Sequence, residues 1–313
     1  MIRKHFRSAA VFLSIFLPMS SLAIIPNREY RILPQQAGLI YKELAVTTND
    51  GYGIHTWFYP AQAMSSPDAS STEPLPYTVS DSERRTTIII CNGDAGNMSY
   101  YQIFMAKNYT AAGYNVVTFD WRGFGKSDDF PMDSAYLCYT EMLYDYNAVI
   151  DAVASQKEVD ASNIYLLGWS TGAYLSMIAA HDNPLIKGCI LRGTPSSFED
   201  VIPILKEVKH KTERHLVVPD NFPAGAMPAY IAPTFDKHIM LVVGTEDNRT
   251  PPWMTEKIYD ALPDKAVKKI WIAPDAGHGG TDAPEFKYPK TFFRKTDRFI
   301  RKSSRKTIRT CPV

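Results

Sequence analysis

Residues Asn163–Ala180 read NIYLLGWSTGAYLSMIAA, and their character changes in the middle. The first half is an apolar, partly β-branched run typical of a buried strand, and the second half has apolar residues at helical spacing. Between the halves, Gly168 and Gly172 bracket Ser170. Two glycines permit a tight turn and close helix–strand packing, so the stretch predicts a strand–turn–helix unit with the Ser170 hydroxyl above the carboxyl end of the strand.

The rest of the chain extends this pattern. Apolar strand-like runs alternate with helical patterns from Thr86 onward, which predicts an α/β fold with a mostly parallel central sheet and helices on both faces. The predicted strands are TTIIIC, YNVVTFD, NIYLLG, IKGCILRG, HIMLVVG and KKIWIAP. Helices are predicted over 97–112, 135–154, 252–262 and 289–301, together with the segment that follows Ser170.

Two strand-like runs, 39–46 and 53–59, precede this alternation. Asn49-Asp50-Gly51 separates them, and Asp-Gly between β-forming residues predicts a hairpin, here on an antiparallel N-terminal edge of the sheet. Residues 61–85 are rich in Ser, Pro and acidic side chains, which predicts a surface loop. A length of 313 residues with 45% hydrophobic and 21% charged residues suits one large α/β domain.

A serine hydroxyl becomes a useful nucleophile only with a base, a group that orients the base, and donors for the oxyanion. Asp247 comes just past a predicted strand, with Glu246 as the neighbouring alternative. Of the seven histidines, His278 alone lies in a glycine-flanked loop after a late strand. The order Ser170, Asp247, His278, all at carboxyl ends of strands, predicts a catalytic triad.

A glycine-rich turn, NGDAGN, directly follows the buried run IIIC. Backbone N–H groups of Asp94, in this turn, and of Thr171, after the serine, are the predicted oxyanion donors. The structural alternative is a plain strand–helix turn with Asn97 as the helix cap, and both descriptions can hold together.

Residues 196–236 interrupt the alternation of strands and helices. Phe198, Val201, Leu205 and Val208 fall on one helical face, which predicts either a short lid insertion over the site or an ordinary crossover helix. Trp169, Tyr100 and Tyr101 are predicted to line an apolar substrate pocket, together with aromatic residues of the lid.

The chain resembles the α/β-hydrolase superfamily, and within it the serine hydrolases of the Bem46-like branch, which include depalmitoylating enzymes. CNGDAGN is similar to the superfamily's oxyanion loop, FDWRGFGKSD to its Asp-Tyr-Arg-Gly segment, and GWSTG, VGTEDNRTP and GHGG to the elbow, acid loop and histidine loop. The match covers roughly 86–301. One departure is Asn92, where the oxyanion loop has histidine, and a second is the carboxylate of Asp94 at the donor position.

The resemblance implies a serine hydrolase that cleaves esters, thioesters or amides through an acyl-enzyme, with Ser170, Asp247 and His278 in the triad. An esterase or acyl-thioesterase acting on a small-molecule or lipid-like acyl substrate is the first interpretation. The alternatives are a serine peptidase of the same fold and a non-catalytic ligand-binding module. No metal and no organic cofactor is implied, and the sequence does not fix the oligomeric state.

The first 23 residues have the layout of a secretory signal: basic MIRKHFR, an apolar run broken by Pro18, and a small-residue cleavage site ending at Ala23. This predicts a mature domain over 24–313, secreted or periplasmic, with an uncleaved membrane anchor as the alternative. Loss of three cations from a formal charge of +1 leaves −2, and a near-neutral protein argues against nucleic acid as a partner.

Three further features have a structural interpretation and an alternative. The basic C-terminal end is interpreted as a closing helix with a solvated tail, and contact with an anionic membrane surface is the alternative. Arg122 is interpreted as an ion-pair partner of Asp120, and the alternative is a contact with an acidic substrate. Cys91 and Cys189 are expected to be buried apolar fillers, whereas Cys138 and Cys311 could form a disulfide.

Overall fold

The computed structural model describes residues 23–79, 81–208, 216–223, 225–265 and 267–308. The strands are β1 (Ile25–Pro26), β2 (Lys42–Leu44), β3 (Thr56–Tyr59), β4 (Arg85–Cys91), β5 (Ala95–Gly96), β6 (Asn115–Phe119), β7 (Val159–Trp169), β8 (Ile186–Arg192), β9 (His238–Gly244) and β10 (Lys268–Ala273). The helices are α1 (Tyr101–Ala111), α2 (Met142–Ala154), α3 (Thr171–His181), α4 (Phe198–Val208), α5 (Pro228–Ile231), α6 (Pro252–Ala261), α7 (Pro284–Lys287) and α8 (Pro289–Ile308).

The eight-stranded central sheet has the order β10-β9-β8-β7-β4-β6-β3-β2. Strands from β10 to β6 are parallel, whereas β3 runs antiparallel to β6 and β2 antiparallel to β3. The predicted α/β fold, with an antiparallel N-terminal edge, is therefore confirmed. Because the parallel strands have helices on both faces, their sequences are nearly continuous apolar runs.

The two faces of the sheet belong to two apolar cores. Ile88 and Ile90 of β4 pack in the core that contains residues of α1 and α8, whereas Ile89 and Cys91 pack in the core that contains residues of α2, α3 and α6. Successive strand residues point to opposite faces, so each strand contributes to both cores. Burial on both faces fixes the carboxyl ends of the strands, where the predicted site residues lie.

Two predicted helices begin later than expected. The helix predicted from 135 begins at Met142, because Tyr136 forms a parallel bridge with Val217 and Leu137 donates a backbone hydrogen bond to the Val217 carbonyl. The helix predicted from 97 begins at Tyr101. The Asn97 side chain instead accepts hydrogen bonds from the backbone and hydroxyl of Ser99, so it stabilises a turn before the helix rather than capping it.

Arg122 does not pair with Asp120, and that prediction was wrong. Its guanidinium is fully buried and contacts Asp145 at 2.7 Å and Asp50 at 2.6 Å. Asp50 belongs to the turn between the predicted edge strands, and Asp145 lies on α2. The guanidinium thus connects the edge hairpin to a helix, and its burial excludes contact with a substrate.

Three cysteines, Cys91, Cys138 and Cys189, are free and buried. The prediction that Cys91 and Cys189 fill apolar space is confirmed, while Cys311 lies outside the described residues. The predicted signal also lies outside them, except for Ala23, which is buried and donates a backbone hydrogen bond to the Ser134 carbonyl. Among the described helices, none combines the length and apolar character needed to span a membrane.

Candidate active site

The turn between β7 and α3 holds Ser170 in a strained backbone conformation, with φ 53° and ψ −118°. Non-glycine residues rarely adopt positive φ, and such residues are found at functional sites where the surrounding structure enforces them. The flanking glycines make the turn possible, because a Cβ on Gly168 would lie 2.3 Å from the Gly172 carbonyl oxygen. The predicted strand–turn–helix unit is thus present, with the serine at its apex.

Ser170, His278 and Asp247 form one hydrogen-bonded line. The Ser170 hydroxyl lies 3.2 Å from Nε2 of His278, and Nδ1 of His278 lies 2.9 and 3.0 Å from the two carboxylate oxygens of Asp247. Asp247 and His278 are buried. In this arrangement Nδ1–H donates to the carboxylate, which leaves Nε2 free to accept the serine proton.

Asp247 is held as a carboxylate by several donors. Its Oδ1 accepts hydrogen bonds from the backbone N–H groups of Arg249 and Thr250, and the Thr250 hydroxyl donates to Oδ2 at 3.0 Å. Burial acts to raise the pKa of Asp247, but the charge of His278 and these hydrogen bonds outweigh burial, and the pKa is lowered. The alternative acid, Glu246, is exposed and bonds only weakly to the adjacent Thr245 hydroxyl.

Gly193, which sequence reasoning missed, lies against the triad. It follows β8 with φ +55°, and a Cβ there would lie 3.2 Å from Oδ2 of Asp247 and 3.2 Å from Cε1 of His278. A side chain at this position would therefore press on both Asp247 and His278. The signal in the sequence was a glycine directly after a buried strand, in IKGCILRG.

The predicted oxyanion donors border the same cleft as the serine. Asp94 and Thr171 line the cleft together with Ser170, and neither of their backbone N–H groups has a hydrogen-bond acceptor within the described residues. The first N–H groups of a helix lack partners in the helix, which leaves that of Thr171 available. This pair can therefore serve an oxyanion beside Ser170.

An N-terminal segment fixes the oxyanion loop. β1 pairs in parallel with β5, the N–H of Ile25 donates to the Asp94 carbonyl at 2.8 Å, and the N–H of Asn27 donates to the Gly96 carbonyl at 3.0 Å. Sequence reasoning missed this support, because the pairing of two dipeptides far apart in the chain has no local signal. The segment restrains the peptide that follows the Asp94 donor.

Asn92 and Asp120 lie beneath the oxyanion loop, and both are fully buried. Asp120 accepts hydrogen bonds from the Met98 backbone at 2.7 Å, from the Tyr30 hydroxyl at 2.5 Å and, at 3.4 Å, from the Asn92 side chain. Burial raises the pKa of Asp120 to about 6, although these donors oppose the shift. Asn92 thus supports the loop only through a long hydrogen bond.

The cleft above Ser170 is mostly apolar and narrow, with a cavity volume of about 40 Å³. Its apolar lining is contributed by six separate segments, with α4 supplying the largest share. The lining residues are Ala23, Leu137 before α2, Tyr174 of α3, Pro195 after β8, Phe198, Val201 and Leu205 of α4, and Leu216. Arg249 and Asp94 are its charged members. Within the described residues, no group of three His, Cys, Asp or Glu side chains is placed to hold a metal ion.

The structure does not place Trp169, Tyr100 and Tyr101 in this lining. The Trp169 indole turns to the histidine loop and donates to the His278 carbonyl, and the Tyr101 ring packs edge-on against it. Tyr100 accepts a hydrogen bond from Asn27 and lies under the guanidinium of Arg31. The prediction that these three line the substrate pocket is corrected: they support the loops around it.

Fold and site define the class of protein, a hydrolase of the α/β-hydrolase superfamily and of the serine hydrolase type. The chain belongs to the prolyl oligopeptidase family, whose sequence model matches residues 99–306. It is 26% identical over 243 residues to the uncharacterized protein YfhR of Escherichia coli K12, covering 72% of this chain and 80% of YfhR. The Bem46-like branch stays a prediction.

Solved structures agree on the fold. The esterase Pf2001 of Pyrococcus furiosus superposes with a TM-score of 0.67 at 16% identity, covering 88% of this chain and 98% of the esterase. Dipeptidyl peptidase 4 of Porphyromonas gingivalis gives a TM-score of 0.56 at 16% identity, covering 84% of this chain but 35% of that protein. The chain therefore spans the whole of the first fold and about a third of the second.

Proposed function

We propose that this protein hydrolyses carboxylic esters or thioesters of apolar acyl groups through an acyl-enzyme at Ser170. The observation that carries the proposal is the continuous hydrogen-bonded line from Asp247 through His278 to Ser170, at the floor of an apolar cleft. A serine, a base and an orienting carboxylate in that order are what acyl transfer by serine requires.

The reaction follows from the positions of these groups. The Ser170 hydroxyl passes its proton to Nε2 of His278 as its oxygen attacks the acyl carbon. Asp247 holds the imidazole and stabilises its cationic form, while the N–H groups of Asp94 and Thr171 donate to the oxyanion. His278 then protonates the leaving alkoxide or thiolate, and water attacks the acyl-enzyme with His278 acting again as the base.

The lining of the cleft favours an apolar acyl group. Phe198, Val201 and Leu205 of α4 face the cleft from one side, and Leu137 and Tyr174 face it from the others. Burying an acyl chain against such side chains gains roughly 0.8 kcal/mol for each methylene removed from water. We propose on this basis that α4 acts as a lid over the acyl site. The likeness to esterase Pf2001 along nearly its whole length adds to the ester interpretation.

A peptidase is the second candidate, and family membership favours it. The same triad hydrolyses amides when the site can hold a peptide and protonate a leaving amine. The dipeptidyl peptidase with the same fold, however, has about two-thirds of its chain outside the region that this protein matches. The matched region therefore corresponds to about a third of that peptidase.

The function is tested by turnover of p-nitrophenyl esters from acetate to palmitate and of a prolyl p-nitroanilide. We expect ester hydrolysis with a maximum at one chain length, its loss in Ser170→Ala, and full activity in the control Ser155→Ala, at the exposed C-terminal end of α2. Faster cleavage of the anilide than of every ester would favour the peptidase. Binding of acyl compounds with no turnover would favour a non-catalytic module.

A further inference from the structure

A buried ion pair lies behind the histidine loop. Nη2 of Arg192, the last residue of β8, contacts Oε1 of Glu285 in α7 at 2.9 Å, and the two side chains are 5% and 2% exposed. The second oxygen of Glu285, Oε2, is buried without a hydrogen-bond partner. Burial of two charges carries a desolvation cost that their attraction often fails to offset, so stability alone explains such a pair poorly.

The guanidinium of Arg192 is directed at the backbone of the catalytic base. Its Nη1 donates to the carbonyl oxygen of His278 at 2.5 Å, and Nε1 of Trp169 donates to the same oxygen at 3.2 Å. A carbonyl oxygen accepts two hydrogen bonds, so both of its lone pairs are used. The peptide that follows His278 is therefore fixed from two directions.

Trp169 is itself held in place. The Arg192 guanidinium stacks on its ring, 4.5 Å from the centroid. Added Cβ atoms on Gly93 and Gly279 would lie 3.0 and 3.1 Å from its ring atoms. The indole therefore packs between the oxyanion loop and the histidine loop, and the Arg192 guanidinium lies against the face of the indole ring.

We propose that Arg192 and Glu285 are positioning residues for catalysis: Glu285 orients Arg192, and Arg192 fixes the His278 carbonyl, which holds the imidazole between Asp247 and Ser170. This rests on the proposed function. His278 lies in a loop, so the direction of its Cα–Cβ bond, and with it the position of the imidazole, depends on the orientation of the loop backbone. The gap of 3.2 Å between Nε2 and the serine oxygen leaves little room for rotation before the bond is lost.

The expected effect is on turnover rather than on substrate binding. Neither Arg192 nor Glu285 lines the cleft, so their replacement leaves the apolar lining intact. A misplacement of a catalytic group by about 1 Å can cost on the order of 100-fold in rate. The loss is therefore expected in kcat, with KM nearly unchanged.

The chain offers a matched control in Glu158. This carboxylate is also buried, pairs through Oε1 with Lys42 at 2.9 Å, and has a buried Oε2 without a partner. Glu158 directly precedes the amino end of β7, whereas the triad lies at the carboxyl ends of the strands. Glu158→Gln thus reports what the loss of a comparable buried charge does to stability alone.

The experiment measures kcat, KM and Tm on the best p-nitrophenyl ester for Arg192→Met, Arg192→Lys, Glu285→Gln and Glu158→Gln. We expect kcat to fall about 10- to 100-fold in Arg192→Met, with KM within about 2-fold of wild type. The kcat values of Glu285→Gln and Arg192→Lys should lie between those of wild type and Arg192→Met. Glu158→Gln should keep its kcat. If Arg192→Met does not fold, the other two variants carry the test, and kcat at the wild-type value in both overturns the proposal.

A second readout separates this inference from the proposed function. We expect the proton on Nδ1 of His278, which is hydrogen-bonded to Asp247, to give a resonance far downfield in the NMR spectrum, whether or not substrate is turned over. We expect that resonance to shift or vanish in Glu285→Gln and to persist in Glu158→Gln and in Ser170→Ala. An unchanged resonance in Glu285→Gln overturns the positioning role, whereas activity retained in Ser170→Ala overturns the function.

Discussion

A Cβ atom on Gly172 would lie 1.8 Å from the carbonyl oxygen of Asn92. The helix that begins after Ser170 therefore touches the backbone of the predicted oxyanion loop with no room for a methyl group. This contact sets the distance between Ser170 and the Asp94 donor, because the helix holds the first and the loop holds the second. The second glycine of GWSTG thus has a role in spacing the site as well as in forming the turn.

Replacing Gly172 with alanine should separate the helix from the oxyanion loop. The overlap is with backbone, which cannot rotate away, so we expect a loss of about 3 kcal/mol or more in the free energy of unfolding, and activity near background. Urea denaturation and ester turnover measure these. Gly51→Ala is the control: a Cβ there meets nothing within 4 Å, so only the strain of its positive φ, about 1 to 2 kcal/mol, applies.

Asp247→Asn should lower kcat by about 10³- to 10⁴-fold while the fold is kept. The amide removes the charge that stabilises the imidazolium and favours the wrong tautomer of His278. Glu246→Gln, at the exposed neighbouring position, should retain wild-type kcat. The reverse result, with Glu246→Gln inactive and Asp247→Asn active, would contradict the assignment of the acid.

Filling the cleft from α4 should shorten the preferred acyl chain. Leu205 lines the cleft, and Leu205→Trp would occupy the space that a longer chain needs. We expect the optimum of the p-nitrophenyl ester series to move to a shorter chain, with activity on acetate retained. Glu207→Trp, on the exposed side of the same helix, should leave the profile unchanged, and an unchanged profile in Leu205→Trp would exclude α4 from the acyl site.

The buried Asp120 should give stability a characteristic pH dependence. Its folded pKa of about 6 lies above the usual aspartate value of 3.8, so the folded state holds the proton over a range where the unfolded chain has lost it. The contribution of Asp120 to the free energy of unfolding therefore falls as pH rises from about 4 to about 6. For a pKa shift of this size, the loss is up to about 3 kcal/mol. Above pH 6 the contribution should be constant.

The check is urea denaturation of wild type and Asp120→Asn between pH 4 and pH 7. Because the asparagine does not titrate, the difference in free energy of unfolding isolates the carboxyl. We expect wild type to lose stability relative to the variant as pH rises through this range. A difference that stays flat, or that grows in favour of wild type, would show that Asp120 ionises at least as readily in the fold as in the unfolded chain.

The sequence predicted the parts of this molecule that have a local signal. Apolar runs, helical spacing and glycine-bracketed turns gave the sheet, its helices and the order in which Ser170, Asp247 and His278 follow three strands. Features that depend on contacts between distant segments were missed or wrong. Arg122 pairs with Asp50 and Asp145 rather than with the nearby Asp120, because the fold brings the distant carboxylates closer.

The positions of the aromatic side chains near Ser170 were predicted wrongly for a similar reason. Trp169 and Ser170 are neighbours at the end of β7, but their side chains point in different directions. The Trp169 indole therefore contacts the histidine loop instead of the cleft. Much of the lining that does surround the serine comes from α4, Ala23 and Leu216, which are far from Ser170 in the sequence. Adjacency in the chain was a poor guide to adjacency in the site.

The proposed role of Ser170 is that of a nucleophile activated by His278. It is tested most directly by reaction of the purified protein with a fluorophosphonate probe, followed by mass spectrometry of its peptides. We predict one adduct, on the peptide that contains Ser170, and no adduct at that peptide in His278→Ala, while His181→Ala labels as wild type does. Labelling at another serine, or undiminished labelling of Ser170 without His278, would contradict this role.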